Sequence, residues 1–382
     1  MSAGRPFLYL SHADVVAAGV LDAARCVDVC EEVFGLLASG DYLMGGPGKN
    51  SHGLGLVFPA SSPFPGMPLA GPDRRFVAMP AYVGGRFDVC GNKWYGSNPA
   101  NPGRGLPRSV LTLTLNDKDT GEPLCLMSAN AVSAARTGAI PALASRCLAP
   151  GSRVLAVIGC GVVNRAVVAA VMTQQPALEH VVLHDVDADA SELMAAWVRD
   201  TYGVRADTAP TADACVAGAD LVSVAASRRT PLEIASGSFA DGATVLLSGP
   251  MASDDAFWCD SRVVYDHVPL HQEYVREAAA APDRGAAYDA LIGGPLYRLI
   301  DAGRVPPLEG SVDLGSLLSG RVPRPVDPDA RTVVVACGMA VFDVALGLDL
   351  YTTAVERGLG RALDLWGDEL PPTAADLRPT RS

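Results

Sequence analysis

Residues 154–166 read Val-Leu-Ala-Val-Ile-Gly-Cys-Gly-Val-Val-Asn-Arg-Ala, and this stretch decides the fold. Its first five residues are apolar without alternation, which is typical of a strand buried on both faces of a parallel sheet. Gly159 and Gly161 match the first two glycines of the dinucleotide-binding pattern Gly-x-Gly-x-x-Gly, and Asn164 stands at the third position, where it would loosen the packing of helix on strand. A helix beginning at Val162 would offer free N–H groups and a positive dipole end to phosphates. The stretch therefore predicts a cofactor-binding turn, with a simple chain reversal in a flavodoxin-like or methyltransferase-like sheet as the alternative.

Three further apolar runs follow at helix-length intervals, at residues 181–185, 220–225 and 243–248. Buried strands separated by helices predict a doubly wound parallel sheet. Asp185 ends the first of these runs, 26 positions after Gly159, where a carboxylate accepts hydrogen bonds from the adenosine ribose and repels a 2′-phosphate. This arrangement predicts NAD rather than NADP, with Asp187 as the other candidate for the ribose contact. Ser248, which ends the last run, is also expected beside the cofactor.

The first third of the chain has a different organisation. Apolar positions recur at helical spacing between Asp22 and Gly40, and residues 45–72 are rich in glycine, proline and serine. Strands are predicted at 75–82 and 109–116. This part of the chain reads as a mixed domain rich in hairpins.

The last part of the chain is expected to return to this first domain. It contains one more strand, at 332–336, and a helix at 339–358, both far beyond the start of the parallel sheet near residue 150. We therefore predict a mixed α+β domain made of residues 1–128 plus 331–382. The residues between, 129–330, form an inserted α/β domain with a Rossmann-type doubly wound parallel sheet.

Composition excludes several classes of protein. The 382 residues include 30 basic and 42 acidic side chains, which leaves a net charge of −12, and 49% of the residues are apolar. Such a chain can bury a core and would repel nucleic acid and anionic membranes. It lacks an apolar run of the roughly 20 residues that cross a bilayer, so we expect a cytoplasmic protein. Its nine scattered cysteines are typical of reduced thiols, and we predict no metal site.

Two cationic residues stand in unusual surroundings. Lys93 lies between an apolar strand and aromatic neighbours, where loss of water would lower its pKa enough for acid–base work; a surface lysine lying over Trp94 is the alternative. Arg136 lies in an alanine-rich helix whose small side chains leave room for its guanidinium to bind a carboxylate with two hydrogen bonds. Its alternative role is a structural salt bridge.

The chain resembles the ornithine cyclodeaminase/μ-crystallin family in an ordered set of motifs that covers most of its length. The motifs are Lys93-Trp-Tyr-Gly-Ser-Asn-Pro-Ala-Asn101, Gly105-Leu-Pro-Arg-Ser109, Leu115-Asn-Asp-Lys-Asp-Thr-Gly-Glu-Pro123, Ser133-Ala-Ala-Arg-Thr-Gly-Ala139, Ile158-Gly-Cys-Gly161 and Gly338-Met-Ala-Val-Phe-Asp343. Within the family, the resemblance is greatest to the NAD-dependent dehydrogenases that oxidise N-(2-amino-2-carboxyethyl)-L-glutamate. The resemblance implies that the mixed domain binds substrate and forms a homodimer.

The resemblance also implies roles for individual residues. Lys93 would polarise or protonate the reacting carbon–nitrogen centre, and Arg136 would hold the α-carboxylate of the substrate. Thr137 would contact the pyrophosphate, and Ser109 would lie beside the nicotinamide unless Arg108 occupies that register. Lys49 roughly matches a basic residue that binds the substrate carboxylate.

One position departs from the family pattern. Relatives carry an aspartate shortly after the strand that ends at residue 248, and Met251 stands in its place here. Asp254 or Asp255 would substitute for it if the loop has another shape, and His267 and His271 are alternatives with suitable intrinsic pKa values.

These observations predict an NAD-dependent oxidoreductase that acts on the Cα–N bond of an amino acid or an opine-like secondary amine. An amino-acid cyclodeaminase with recycled NAD is the first alternative. The second is a non-catalytic protein of the μ-crystallin type that binds NAD(P)H and a small ligand. The expected partner is a small amino-acid-like substrate with an α-carboxylate.

Overall fold

The chain folds around two β-sheets joined by helices that pack against both. The architecture is taken from a computed structural model, which describes residues 6–71, 73–226, 231–324, 327 and 329–366. Within these ranges, no helix combines the length and the apolar character that a bilayer crossing requires.

The first sheet is built mainly from the N-terminal third of the chain. Its strands are β1 (Phe7–Leu10), β2 (Tyr42–Met44), β3 (Leu54–Val57), β4 (Arg75–Val83), β5 (Val89–Ser97), β6 (Ser109–Asn116), β7 (Pro123–Ser128) and, from the C-terminal end, β18 (Arg361–Leu363). Their order is β18-β1-β7-β6-β5-β4-β2, and β3 pairs with β4. All pairs are antiparallel except β1 with β7, as expected for hairpin-rich sequence.

The second sheet is parallel throughout its described pairs. Its strands are β8 (Val154–Ile158), β9 (His180–His184), β10 (Arg205–Thr208), β11 (Leu221–Val224), β13 (Thr244–Leu247), β15 (Arg262–Tyr265), β16 (Val312–Asp313) and β17 (Thr332–Val335). The order is β10-β9-β8-β11-β13-β17-β15-β16, so the chain reverses its direction of winding between β8 and β11. Ligands bind at the carboxyl ends of the strands at such a point. A two-strand ladder, β12 (Leu232–Glu233) with β14 (Met251–Ala252), lies apart.

The helices are α1 (His12–Ala17), α2 (Ala23–Ser39), α3 (Asn130–Leu148), α4 (Val162–Gln174), α5 (Ala188–Tyr202), α6 (Ala212–Val216), α7 (Asp255–Asp260), α8 (Val268–Ala280), α9 (Arg284–Asp289), α10 (Gly294–Asp301), α11 (Leu314–Leu318) and α12 (Ala340–Arg357). The long ones follow the sequence pattern. Asp22 caps α2 by accepting a hydrogen bond from the Arg25 N–H, and Gly40 ends it in the left-handed conformation.

The predicted fold class is confirmed, and one boundary is corrected. The strand at 332–335 was placed with the first domain, yet β17 hydrogen-bonds to β13 on one side and β15 on the other. All four residues of β17, one threonine and three valines, are buried, as is typical of a strand in the interior of a parallel sheet. The fold-back onto the first sheet begins only after β17, with α12.

Helix α12 lies closely against β4, β5 and β6 because glycine occupies the points of contact. A Cβ atom on Gly91 of β5 would lie 2.8 Å from a methyl carbon of Val344, and one on Gly347 would lie 2.3 Å from a methyl carbon of Leu113. Larger residues would force the helix away from the sheet. This close approach brings Asp343, in the first turn of α12, over strand β5.

Candidate active site

Two buried cations share one buried carboxylate between α12, α3 and β5. The Nζ atom of Lys93 lies 2.7 Å from Oδ2 of Asp343, and Nε of Arg136 lies 3.1 Å from the same oxygen. The side chains of Lys93, Arg136 and Asp343 are 1%, 7% and 0% exposed. We call these three residues the cationic triad. Its formal charge is +1, and a buried net charge is costly unless another group compensates it.

The strand register places Lys93 inside the molecule. In β5 it pairs with Met79 of β4 and Leu113 of β6, and both of these neighbours are buried. Trp94, the next residue, faces the opposite side of the sheet and is 42% exposed. The proposed surface position of Lys93 is therefore wrong, and the buried one is correct.

Burial changes the protonation of the triad. Loss of water and the adjacent Arg136 charge lower the pKa of Lys93 to about 8, although Asp343 opposes the shift. Burial alone would raise the pKa of Asp343, but the two cations outweigh it and lower that pKa. Lys93 can thus exchange a proton near neutral pH, while Asp343 stays ionised.

A glycine brings the guanidinium of Arg136 against the main chain. Gly338 has φ of 70°, and a Cβ atom there would lie 1.9 Å from Nη1 of Arg136. Nη2 of Arg136 donates to Oγ of Ser133 at 3.3 Å. The guanidinium is held by this hydrogen bond and by its buried ion pair with Asp343, so the salt bridge named as the alternative role of Arg136 is present in the structure.

The triad opens into a cleft of about 450 Å³ between the two sheets. Besides Lys93 and Arg136, polar side chains line it: His52, Arg75, Tyr95, Ser133, Thr137, Ser248, Tyr274 and Glu277. Six of these residues were given no role from the sequence: His52, Arg75, Tyr95, Ser133, Tyr274 and Glu277. Signals were present for three of them, because Tyr95 and Ser133 lie in the family motifs and His52 lies in the glycine-rich segment.

The glycine turn after β8 forms a second recess of about 190 Å³, lined also by His184, Asp185 and Ala226. Gly159 has φ of 90°, and a Cβ atom there would lie 2.9 Å from Cα of Ala226. Glycine is required at this position both for the turn and for the close approach of two strand ends. Gly161 is the N-cap of α4, and a Cβ atom there would meet no atom within 4 Å.

Asn164 does not loosen the packing as expected. Its amide is fully buried and donates to the carbonyls of Ile158 and Gly159, at 2.8 and 2.7 Å, while its oxygen accepts from Ser223 at 2.6 Å. Every contact is internal, so Asn164 supports the turn rather than touching a cofactor. A glycine at this position would let the helix pack closely against the strand. Here the side chain of Asn164 connects the helix to the strands through hydrogen bonds instead.

The two candidate acids after β9 have different roles. Asp185 lines the recess and accepts from the N–H of Cys160 at 2.7 Å. Asp187 caps α5 through hydrogen bonds from Asp189 and Ala190. The geometry therefore favours Asp185 for a ligand contact.

Thr137 and Ser248 line the cleft, as expected for residues near a cofactor. The hydroxyl of Thr137 donates to the carbonyl of Ser133 at 2.6 Å. Oγ of Ser248 is buried and has no hydrogen-bond partner among the residues that the structure describes. Ser109 reaches the cleft only through Tyr95, whose hydroxyl lies 2.8 Å from its Oγ. Arg108 forms an ion pair with Asp73.

The sequence model described as the ornithine cyclodeaminase/mu-crystallin family matches residues 20–358. The chain belongs to this family. The matched residues include the second sheet, the first sheet apart from β1 and β18, the triad and the glycine turn.

Members of the family with assigned names resemble the chain at modest identity. The nodulation efficiency protein NfeD of Rhizobium meliloti is 32% identical over 290 residues, or 75% of this chain and 82% of that protein. The N-((2S)-2-amino-2-carboxyethyl)-L-glutamate dehydrogenase of Staphylococcus aureus is 24% identical over 376 residues, or 95% of this chain and 99% of that enzyme.

Solved structures of the family share the fold. The Δ(1)-pyrroline-2-carboxylate reductase of Thermococcus litoralis, in complex with NADH and L-proline, has a TM-score of 0.77 at 20% identity and covers 94% of this chain and 100% of its own. An archaeal alanine dehydrogenase dimer with bound NAD has a TM-score of 0.75 at 22% identity, with the same coverage of both chains.

Lys49 is a wrong prediction for the substrate site. It lies in an exposed turn between β2 and β3, has φ of 58°, and does not line the cleft. Arg75, at the start of β4, lines the cleft instead. The turn sequence predicted a basic residue nearby, but the register of β3 on β4 determines which one reaches the cleft.

The family aspartate has no replacement among its proposed neighbours. Met251 is 1% exposed and belongs to β14. Asp254 caps α7 by accepting from the N–H of Phe257, and Asp255 forms an ion pair with Arg304. None of these residues lines the cleft.

The two histidines proposed as substitutes are structural. His271 is buried between Asp266, at 2.8 Å, and the hydroxyl of Tyr297, at 2.5 Å. His267 bonds to the hydroxyl of Tyr42 at 2.6 Å. Both histidine side chains are already hydrogen-bonded to other side chains, and neither lines the cleft.

Proposed function

We propose that this chain is an NAD-dependent oxidoreductase that acts on the Cα–N bond of an amino acid or of an opine-like secondary-amine amino acid, by hydride transfer to or from an imine. The observation that carries the proposal is the cationic triad, buried in a cleft at the carboxyl edge of the second sheet. Ser248 and Cys337, which follow β13 and β17, line that cleft, and the glycine turn follows β8 in the same sheet.

The glycine turn fits a dinucleotide. A Cβ atom on Gly161 would meet open space, and α4 begins directly after Gly161, so its free first N–H groups lie at the end of the turn, where a pyrophosphate is bound. We assign the pyrophosphate to Gly159, Gly161, Val162 and Thr137. The adenosine ribose is assigned to Asp185. NAD, when bound, supplies the hydride acceptor or donor for substrate Cα.

The triad supplies the chemistry that the protein itself must perform. Arg136 binds the α-carboxylate of the substrate, which would neutralise the excess positive charge around Asp343. Lys93 then lies where the reacting nitrogen is placed, and with its pKa near 8 it can accept or donate a proton at that nitrogen or at its hydrated form. Ser109 and Ser248 are proposed beside the nicotinamide.

The named relatives support this reading. The similar enzymes described above are a dehydrogenase of N-((2S)-2-amino-2-carboxyethyl)-L-glutamate, a reductase of Δ(1)-pyrroline-2-carboxylate and an alanine dehydrogenase. All three substrates carry a carboxylate next to a carbon bonded to nitrogen. The cleft described here offers one buried guanidinium and one buried amine, which suits that shared group.

We also propose that the mixed domain, residues 1–128 with α12, binds substrate and forms a homodimer. The outer face of the first sheet is uncovered and apolar, with Leu43, Trp94 and Val110 exposed by 45%, 42% and 49%. Large exposed apolar patches mark interaction surfaces. Measuring the mass in solution by light scattering tests this: a monomer for the intact protein would contradict the proposal.

The reaction itself is tested with purified protein, NAD and a panel of amino acids and opine-type conjugates, following the absorbance of the reduced cofactor. We expect reduction of NAD in proportion to substrate consumed. Binding of NADH without turnover on any compound, in either direction, would favour the non-catalytic alternative.

A further inference from the structure

His52 occupies the wall of the cleft between the triad and the outer residues. Its partly buried ring lies beside Tyr274, with ring centroids 5.9 Å apart. His52 lines the cleft together with Lys93 and Arg136, and its ring bonds to the carbonyl of Gly338, the glycine against which the Arg136 guanidinium lies. His52 thus lies beside the triad, where the reacting nitrogen is expected.

The main chain fixes the tautomer of His52. Its Nδ1 atom lies 3.1 Å from the carbonyl oxygen of Gly338. A carbonyl oxygen only accepts hydrogen bonds, so Nδ1 carries the hydrogen and Nε2 carries a lone pair. In the described part of the chain, Nε2 has no hydrogen-bond partner.

The backbone that leads to Gly338 is itself held by hydrogen bonds. The N–H groups of Cys337 and Gly338 donate to Oδ2 of Asp266, at 2.8 and 2.9 Å. The other oxygen of Asp266, Oδ1, accepts from His271 in a fully buried site. The residue whose carbonyl orients His52 is therefore held at its N–H by a buried hydrogen-bond network, which restricts the movement of the backbone that the ring is bonded to.

His52 remains an acceptor under ordinary conditions. Burial and the charges of Lys93 and Arg136 lower its pKa to about 4, so the ring is neutral at neutral pH. A group with this pKa is a poor base for an ammonium ion but a good hydrogen-bond acceptor for its N–H. At the position of the family aspartate this chain has Met251, which is buried in β14, so that position offers no acidic side chain to the cleft.

We propose that Nε2 of His52 accepts a hydrogen bond from the N–H of the substrate's reacting nitrogen. The inference rests on the proposed function and sharpens it: the cleft selects substrates whose reacting atom is a nitrogen that carries hydrogen, either as an amine or as an iminium. His52 orients that nitrogen beside Lys93 and leaves proton transfer to the lysine. His52 gives the reacting nitrogen a hydrogen-bond acceptor, as a carboxylate would, without adding a negative charge beside the triad.

Two variants separate this role from a structural one. In His52→Asn, the side-chain amide nitrogen takes the place of Nδ1 and keeps the bond to Gly338, while the acceptor at Nε2 is lost. In His52→Gln, the longer side chain returns an acceptor oxygen near the position of Nε2. A purely structural histidine is replaced better by asparagine, whereas a substrate-binding one is replaced better by glutamine.

The experiment measures ligand affinity for the protein–NADH complex by fluorescence. The probes are L-proline, L-alanine and L-ornithine, each paired with an analogue in which an ether oxygen, which carries no hydrogen, replaces the reacting nitrogen: (S)-tetrahydrofuran-2-carboxylate, (S)-2-methoxypropanoate and (S)-5-amino-2-methoxypentanoate. We expect at least one amino acid to bind the wild type roughly tenfold or more tighter than its oxygen analogue, as for a hydrogen bond from a charged donor. This preference should fall about tenfold in His52→Asn and less in His52→Gln, with NADH affinity and melting temperature unchanged.

Three outcomes would overturn the inference. They are no preference for any amino acid in the wild type, an unchanged preference in His52→Asn, and an equal loss in both variants. The proposed reaction fails separately: if the nitrogen preference and its dependence on His52 are found but no compound reduces NAD, the contact stands and the oxidoreductase activity does not.

Discussion

At the scale of residues, the site is organised by an unequal number of charges. Lys93 and Arg136 surround a single carboxylate, Asp343, whose Oδ1 atom is buried without a hydrogen-bond partner. The pairing is too incomplete to be only a structural salt bridge, because a buried cation without a counter-charge costs stability. A substrate carboxylate would complete it. Lys93 and Asp343 lie 250 positions apart in the chain, so the sequence could suggest the two cations separately but not their shared carboxylate.

Arg136→Lys tests how the carboxylate is bound. Lysine keeps the charge but loses the planar fork, so we expect kcat/KM to fall roughly tenfold or more while the protein still folds. Arg146→Lys is the matched control, since Arg146 lies on the same helix and pairs with Glu31 at 2.5 Å, away from the cleft. Unchanged kcat/KM in Arg136→Lys would show that another residue binds the carboxylate.

The lowered pKa of Lys93 predicts opposite pH profiles for the two directions of reaction. In oxidation the neutral amine accepts the proton, so kcat/KM should rise about tenfold per pH unit below the pKa and level off above about 8. In reduction the protonated amine donates, so kcat/KM should be level below about 8 and fall above it. Lys93→Ala should abolish turnover and retain NADH binding. If the variant keeps the wild-type profiles, Lys93 is not the proton carrier.

At the scale of elements, the sequence predicted which segments form strands and helices better than it predicted which strands lie side by side in each sheet. Unalternating apolar runs identified β8, β9, β11 and β13, and β6 was placed at its observed bounds. Strand β17 had the same apolar pattern, but its place between β13 and β15 depends on a long connection through α8–α11 and β16. Asn164 shows the same limit within a motif, since its hydrogen bond to Ser223 depends on where β11 lies.

The end of β9 should determine the choice of cofactor. Asp185 presents a carboxylate to the recess beside the glycine turn, so we expect NADH to bind at least about tenfold tighter than NADPH, which requires only ~1.4 kcal/mol. Asp185→Ser should reduce this ratio, because it removes the repulsion of a 2′-phosphate. Fluorescence titration with both reduced cofactors measures it.

Asp187→Ala is the control for that titration. It removes the cap of α5, at a cost of about 1 kcal/mol in the free energy of unfolding, and should leave the NADH to NADPH ratio unchanged. Equal affinities in the wild type, or a ratio that follows Asp187 instead, would show that the ribose is bound elsewhere.

At the scale of the whole molecule, the cleft exists because the chain passes from one sheet to the other at residues 336–339. These residues leave β17, bend at Gly338 and enter α12, whose first turn carries Asp343 to Lys93. The sequence predicted that the C-terminal segment folds back. It could not show that the crossing itself forms the inner wall of the site, where Asp266 accepts from the N–H of Gly338 and His52 bonds to the carbonyl of the same residue.

This arrangement determines which reaction of the family the molecule should perform. Cyclodeamination needs a group that moves protons on a distal amine while that amine attacks the imine, whereas simple dehydrogenation needs only one proton carrier at the reacting nitrogen. In the described cleft, Lys93 suits the second task. The one carboxylate lining the cleft mouth, Glu277, is exposed and accepts a hydrogen bond from Ser51 at 2.8 Å.

We therefore expect ornithine and lysine, incubated with a trace of NAD, to give no catalytic yield of proline or pipecolate. Any oxidation should stop once the cofactor is reduced, because hydride is not returned to a cyclic imine in the same cleft. Mass spectrometry of the products, with the absorbance of NADH read in parallel, measures both. Many turnovers per cofactor would establish the cyclodeaminase instead, and loss of those turnovers in Glu277→Gln would then identify Glu277, rather than Asp254 or Asp255, as the acid that serves the distal amine.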